Sequence, residues 1–406
     1  MKRRRPNLLF DDISCMGEDT CYDVTSESRQ WVPMCDVAVA GVSCKSASRL
    51  NVNYKSLTNA VLERSDSTGR TVEGLRAYVA RHRPRLVIVE NVLSLGREDD
   101  TDGTNNLSCL VKRFTDLGYT VVPQQLRAYD LGEPVSRGRW YILMFRGREP
   151  ATVSQSTQAT ASLTGESSLG SFRATVSPTA CNRAQVTVSA DAVKQVLREA
   201  RVPHASLVSA YLVDVAAETF KPDWFHSAPR KRHRADGESN GHRELFQAAG
   251  WPYPPDMSVL LAACPTLDAD HMGTLTVREQ EVLFYIILVR GQQLPAEGSG
   301  TVLCVNLQHS IARCHVSVNS VPCILPNMSL WVITETQQRK MIPQEALALQ
   351  GWRGEDLNID WLEEANGDVR QRTRFWMQAV GNAFHSGSIA AALLVGLAFA
   401  PWGWGP

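Results

Sequence analysis

A chain of 406 residues is long enough to close two hydrophobic cores. With 44% apolar and 7% aromatic residues, its composition excludes a disordered or fibrous protein. Lysine plus arginine and aspartate plus glutamate balance at 42 each, so net charge selects no partner; bunched basic residues at Lys2-Arg3-Arg4-Arg5 and Arg230-Lys231-Arg232-His233-Arg234 read equally as local anion-binding fields or as solvated tracts.

The ten cysteines show no CxxC pair and no zinc-ligand spacing with histidine, so no metal site is expected. After the first basic cluster only Leu8-Leu9-Phe10 precedes Asp11-Asp12, too short an apolar run for an export signal. The thiols are therefore expected to be reduced and the chain intracellular. Residues 389–400 form the longest apolar stretch, shorter than a bilayer span, and read as a buried helix rather than a membrane anchor.

In chain order, the first 150 residues alternate β-rich runs with helical patterns. Val37-Ala38-Val39-Ala40, closed by Gly41, reads as a buried strand. Residues 75–83 have helical spacing and stop before Pro84. Leu86-Val87-Ile88-Val89 is a second buried strand, and 107–117 a helix ended by Gly118. Runs 119–122 and 140–145 complete the strands. Strands separated by helices predict parallel pairing with crossovers, a doubly wound α/β sheet.

Composition changes after Pro150. Residues 151–187 are dominated by Ser, Thr and Ala and read as a linker or loose insertion. A helical stretch at 192–201 follows, then a polar, basic segment at 226–242. Helix and strand signals mix over 251–333. There, Leu275-Thr276-Val277-Arg278-Glu279-Gln280-Glu281-Val282-Leu283 resembles the opening of a response-regulator helix-turn-helix. No second helix is readable before Gly291 and Pro295, which favours a single amphipathic helix. Helices at 343–349 and about 381–400 close the chain, and no internal repeat is present.

Three sets of residues have chemical potential. Cys44 follows the strand 37–40, in Gly41-Val42-Ser43-Cys44-Lys45, and in an open α/β sheet sites form beyond the carboxyl ends of strands. Lys45 beside it favours the thiolate; the plainer reading is a small packed residue. Glu90, in Glu90-Asn91-Val92, ends the next strand and is placed to donate a proton into the same crevice, or to serve as a loop carboxylate. Arg137 and Arg139 alternate ahead of the strand 140–145. They suit a phosphate, a carboxylate or a carbonyl-bearing ring, and equally a structural role on backbone carbonyls.

Together and in this order the pieces resemble the DNA (cytosine-5) methyltransferases. Gly41-Val42-Ser43-Cys44 with Ser48 resembles that family's Gly-Phe-Pro-Cys-Gln-x-x-Ser nucleophile loop, and Glu90-Asn91-Val92 its Glu-Asn-Val motif. The segment from Asp130 to Arg139 resembles Asp-Tyr-Gly-Val-Pro-Gln-x-Arg-x-Arg. Pro343-Gln344-Glu345 through Leu349-Gln350-Gly351-Trp352 resembles Thr-Pro-Arg-Glu-x-x-x-Leu-Gln-Gly-Phe, and Gln378 to Phe384 the closing Gln-x-Gly-Asn-Ser-Val. The likeness covers 8–145 and 341–396.

The resemblance implies S-adenosylmethionine-dependent methylation of cytosine carbon 5 in DNA, on a base flipped out of the duplex. Cys44 would be the nucleophile, Glu90 the donor to ring nitrogen 3, and Arg139 the holder of the base oxygen. Arg137 would support the loop or a nearby phosphate. Asp12 and Ile13, in Leu9-Phe10-Asp11-Asp12-Ile13, resemble the family's Gly-Asp-Ile element and, with Ser43, Asn382 and Ala383, would contact the cofactor.

The chain departs from the family at Ser43, Lys45 and Val135, which replace a proline and two glutamines. No Phe-x-Gly-x-Gly cofactor loop precedes Cys44, so the expected Rossmann-like sheet is incomplete at its first strand. The implied organisation is a catalytic part at 1–150, the linker 151–187, a smaller inserted target-recognition region at 188–355, and a return to the catalytic domain at 356–406. A DNA-binding homologue with impaired catalysis and a transfer-RNA cytosine-5 methyltransferase are the alternatives. Arg230 to Arg234 would suit a nuclear address in a eukaryote.

Overall fold

The computed structural model describes residues 7–44, 67–97, 105–147, 190–199, 208, 212, 235–267, 269–326, 328–352 and 377–400. The expected linker 151–187, both basic clusters, Lys45 and Ser48 lie outside the described residues. The chain forms two compact units. The first comprises Asn7–Gln124, Trp140–Glu199 and Ala392–Pro406; the second is built chiefly from Gln125–Arg139 and Ala200–Ala391. The boundaries expected at 150, 187 and 355 lie outside the described residues. Within the second unit Val135 and Arg137 are held by residues 321–383, contacts between distant segments that composition does not encode.

The first unit centres on a four-stranded sheet in the order Val37–Gly41, Leu86–Val92, Gly138–Arg146, Tyr119–Arg127. The first two strands run parallel, as expected of a doubly wound fold. Leu86, Val87, Ile88 and Val89 are all 0% exposed, which identifies a strand covered on both faces. Helix Ser67–His82 buries Val72, Leu75 and Val79, and helix Asn106–Thr115 buries Leu107, Leu110 and Phe114, each set at helical spacing on one face. Asn105 opens the second of these helices: its carboxamide oxygen accepts from the Ser108 N–H at 2.8 Å, and Ser108 Oγ accepts from the Asn105 N–H at 3.1 Å. Gly118 then turns the chain with φ +81°. At the C-terminal end, the helix Ser386–Phe399 brings Gly396 against Leu86, where a Cβ would stand 2.7 Å from a leucine methyl. This packing seats one face of the apolar stretch 389–400 on the sheet; Leu394, 64% exposed, stands away from it, so the helix expected to be buried is only partly so.

The second unit holds an antiparallel sheet in the order Gln338–Lys340, Leu330–Ile333, Leu303–Asn306, Val316–Val318. Period-two alternation divides its side chains between two cores. Leu303, Val305, Trp331 and Ile333 pack with Phe246, Leu260 and Phe284. Cys304, Leu330 and Val332 pack with Val135, Val321, Ala346, Leu349 and Val380. The stretch 275–283 forms the helix Val277–Phe284, which continues into a π-turn at Tyr285–Val289; no second helix follows before Leu303, so the single amphipathic helix is the form adopted. The helix Pro343–Leu349 matches its expected bounds.

Candidate active site

Register brings Cys44 and Glu90 to one edge of the first unit's sheet. Val37–Gly41 pairs with Leu86–Val92 so that Gly41 stands opposite Glu90. Cys44 follows three residues later, at the carboxyl end of one strand and beside the strand end that carries Glu90. The run 86–89 is buried on both faces, which makes it the inner strand of this pair. Both Cys44 and Glu90 are half-buried.

The loop before Cys44 is tied down on two sides. Asn91, 1% exposed, donates from Nδ2 to the Val42 carbonyl at 3.4 Å and accepts the Val92 N–H at 2.8 Å. The Ser43 N–H donates to Thr71 Oγ1 at 3.1 Å, and that hydroxyl donates to the Thr68 carbonyl at 3.0 Å. The second residue of Glu90-Asn91-Val92 is therefore a strut between the loop that carries Cys44 and the strand that carries Glu90. The first turn of helix Ser67–His82 holds the loop from the other side.

Asp12 and Ile13 lie at the start of the 3-10 turn Ile13–Gly17. Asp12 caps that turn, accepting the Ser14 N–H at 2.9 Å, and forms an ion pair with Arg70. Hydrogen bonding from Ser14 first, with the charge of Arg70 adding, holds its carboxyl below the usual 3.8. Gly74 lets the helix approach the turn, since a Cβ there would stand 2.8 Å from the Ile13 carbonyl oxygen. A shallow depression beside Asp12 is lined by Ser14, Arg70, Glu73, Gly74 and Ala77.

The remaining candidates fall in the second unit. Arg137, 4% exposed, donates from Nη1 to the Ile324 carbonyl at 3.2 Å and the Gly381 carbonyl at 3.5 Å, and from Nη2 to the Ala383 carbonyl at 2.9 Å. It is a buried clasp on three backbone oxygens, which is the structural role left open for it; the reading that set it on a phosphate gives way to this one, since its guanidinium faces backbone. Gly381 belongs to the same knot, where a Cβ would stand 2.1 Å from the Pro326 nitrogen. Arg139 is half-buried and donates to the Gly138 carbonyl at 2.8 Å and to Cys323 Sγ at 3.5 Å. Asn382 is exposed; Ala383 is half-buried and its carbonyl faces Arg137. Beyond it His385 is buried, with Nδ1 accepting the Ser388 N–H at 3.2 Å; desolvation, with Arg137 adding, pushes the imidazole down to about 4.

The candidates thus form two groups, each coherent in its own unit: Asp12, Ile13, Ser43, Cys44 and Glu90 in one, Arg137, Arg139, Asn382 and Ala383 in the other. Sequence reading passed over Thr71, Cys323 and His385. Thr71 and Cys323 meet their partners across 28 and 184 residues, and no local pattern announces either. Asn91 was visible within its motif but without a function.

Several known proteins resemble the chain. It is 29% identical over 139 residues to the DNA (cytosine-5-)-methyltransferase DMT5 of Cryptococcus neoformans, a match covering 34% of this chain and 5% of that protein. It is 27% identical over 130 residues to the type II methyltransferase M.HhaI of Haemophilus parahaemolyticus, covering 32% of this chain and 36% of the relative. Among solved structures, the Entamoeba histolytica methyltransferase EhMeth aligns over 89% of this chain and 77% of its own, with TM-score 0.39 and 11% identity. The Dnmt2 methyltransferase of S. pombe aligns over 91% and 79%, with TM-score 0.36 and 12% identity. The sequence model described as C-5 cytosine-specific DNA methylase matches residues 13–355, most of the chain, and this chain belongs to that family.

Proposed function

We propose that this chain methylates carbon 5 of cytosine in DNA, with Cys44 as the nucleophile and Glu90 as the acid. The observation that supports this most strongly is the pairing of Gly41 with Glu90. It sets a thiol and a carboxyl group at neighbouring ends of two parallel strands, in a chain of the cytosine-5 methylase family.

Carbon 5 of cytosine is a poor nucleophile until a group adds to carbon 6. Cys44 as thiolate makes that addition: a carbon–sulfur bond forms, and the electron pair of the 5,6 double bond shifts toward carbon 5. Glu90 as acid donates to ring nitrogen 3, so negative charge does not accumulate on the ring. The family resemblance implies that Arg139 would hold the base oxygen with its guanidinium; Arg137, two residues earlier, clasps the carbonyls of Ile324, Gly381 and Ala383 and keeps that segment rigid. Water then takes the proton from carbon 5, the electron pair of that bond re-forms the 5,6 double bond, and the carbon–sulfur bond breaks with Cys44 leaving as thiolate, which restores the aromatic ring. The target base must leave the duplex to meet these groups.

S-adenosylmethionine, when bound, supplies the methyl group as an electrophile. The acceptor oxygens of Asp12 suit its nucleoside end: the carboxylate side chain is 33% exposed and keeps lone pairs after accepting from Ser14 and Arg70, and Ile13 offers apolar surface beside it. Ser43, Asn382 and Ala383 are the other residues assigned to it.

The test is transfer of radiolabelled methyl from S-adenosylmethionine to cytosine-containing DNA by the wild type and Cys44→Ala. Incorporation by the wild type, lost in the variant, is expected. Equal incorporation by both would remove Cys44 from the reaction. Salt-sensitive DNA binding without cofactor binding would instead identify a homologue that grips DNA without modifying it, and methylation of transfer RNA in preference to DNA would change the substrate.

A further inference from the structure

Away from Cys44 and Glu90, three metal-ligating side chains meet near the start of the first unit. Asp11 precedes the 3-10 turn Ile13–Gly17, Cys15 lies within the turn, and Cys21 sits on the strand Thr20–Asp23. A carboxylate oxygen of Asp11 and the sulfurs of Cys15 and Cys21 all lie within 4.8 Å of one another.

Backbone bonds hold these donors together. The Asp11 N–H donates to the Tyr22 carbonyl at 3.4 Å, and Phe10 bridges Asp23, which fixes residues 10 and 11 against the strand that bears Cys21. The Cys15 N–H donates to the Asp12 carbonyl at 3.4 Å, and the Glu18 N–H to the Cys15 carbonyl at 3.0 Å, so the turn that carries Cys15 is closed at both ends. Cys21 is 0% exposed, Cys15 half-buried and Asp11 exposed, so the cluster runs from the core to the surface. An ion can therefore reach the carboxylate from solvent while one sulfur stays desolvated. The spacing of Cys15 and Cys21 matches no CxxC pattern, because here the turn and the strand supply the convergence that a knuckle would supply elsewhere.

We propose that Asp11, Cys15 and Cys21 bind one thiophilic divalent cation of the zinc class, with water in the fourth tetrahedral position. Two thiolates with one carboxylate form a set that suits zinc far better than magnesium or calcium, which take oxygen ligands alone. On binding, two metal–sulfur bonds form and both thiol protons pass to water, with no change of oxidation state. The ion clamps the turn bearing Asp12 to the strand Thr20–Asp23. A disulfide between Cys15 and Cys21 is the competing outcome; the carboxylate converging on the two sulfurs favours the cation, because it adds a ligand to a metal but contributes nothing to a disulfide.

The experiment is cobalt(II) titration of the purified full chain under reducing, oxygen-free conditions. It reads the thiolate-to-cobalt charge-transfer absorption and its displacement by zinc. One equivalent with that absorption is expected for the wild type. Cys15→Ser should lose one of the two sulfur contributions and weaken affinity by more than about tenfold, since even losing an outer-shell partner costs about that much. Asp11→Asn should retain the charge-transfer absorption but bind more weakly. Both positions are accessible, and circular dichroism on each variant confirms folding without touching the buried Cys21. Absence of the absorption, an unchanged titration in Cys15→Ser, or a Cys15–Cys21 disulfide found by mass spectrometry of the protein before reduction would each overturn the proposal. Methyl transfer is not the readout, so the fate of the Cys44 assignment is separate.

Discussion

Polar residues serve opposite purposes in the two units. At the sheet edge of the first unit, Cys44 and Glu90 are half-buried at strand ends, and the residues fastening their loop, Asn91 and Thr71, act through backbone bonds. In the second unit the charges are deep inside. Arg339 and Glu345, with side chains 2% and 0% exposed, form a two-pronged pair at 2.9 and 2.7 Å, and Glu345 also accepts the Ile342 N–H at 3.0 Å. Lys340 reaches Glu279 at 3.7 Å and the Thr274 carbonyl at 3.0 Å. Glu281 takes His242 at 2.7 Å and the Tyr253 hydroxyl at 2.9 Å. Charges buried this way add little net stability over apolar residues of the same size, but losing one partner strands the other. The charged pairs of the second unit therefore fix geometry from inside the core, whereas Cys44 and Glu90 of the first stand half-buried at strand ends.

The contrast breaks most readily at Glu90. Glu90→Gln should lower turnover by about 10²–10⁴-fold while leaving urea stability within about 0.5 kcal/mol of the wild type. Comparable losses of activity and stability would make Glu90 a structural group, and the distinction between the units would fail. Next in size, Glu345→Ala should cost about 3–5 kcal/mol in urea unfolding, because Arg339 is left charged and buried. Pairing it with Arg339→Met should recover much of that. A single-variant loss near zero would mean the pair is hydrated rather than buried.

The pH profile sharpens the comparison further. His385 has its folded value near 4, below the ordinary 6.5, so the unfolded chain takes up the proton first as pH falls. Stability from this group is complete above 6.5 and declines toward 4, by at most about 3 kcal/mol. His385→Gln should flatten that limb, measured by urea midpoints across the range. In the first unit Asp23 behaves differently: hydrogen bonding from the Ser26 hydroxyl first, then the Leu9 N–H, brings its carboxyl down to about 2. Its contribution is present above 3.8 and lost as pH falls through about 2, so the two windows do not overlap. A slope that survives in His385→Gln would assign the limb elsewhere. The smallest effect is local. The Thr276 hydroxyl accepts the Glu279 N–H at 3.3 Å and Glu279 returns to the Thr276 N–H at 2.9 Å, so Thr276→Ala should cost about 1 kcal/mol by urea unfolding.

Legibility in the sequence followed how local each signal was. The run 86–89 is apolar without interruption, and it is a strand; the helix Pro343–Leu349 carries its proline at the start and its glutamate in the first turn, and it matches its expected bounds. The helix expected over 75–83 begins earlier, at Ser67, because its first turns are polar and show no apolar period. The strand expected over 119–122 extends to Arg127, past Pro123-Gln124-Gln125, where the apolar pattern fades but sheet pairing persists. The closing helix begins at Ser386 rather than 381, after a turn whose Ala383 carbonyl is held by Arg137 across 246 residues.

The placement of Cys44 and Glu90 was legible from the residues alone. Glu90 follows the apolar run 86–89 directly and Cys44 lies four residues past the run 37–40, at the ends of strands that pair in parallel. Partners beyond a few residues' reach came from the folded chain alone: Arg137 on the carbonyls of Ile324, Gly381 and Ala383, Arg139 against Cys323, and Asp11 beside Cys15 and Cys21. Periodicity reports which face of an element is buried, but not which distant segment covers it, and a guanidinium or a thiol acquires its function from that second fact.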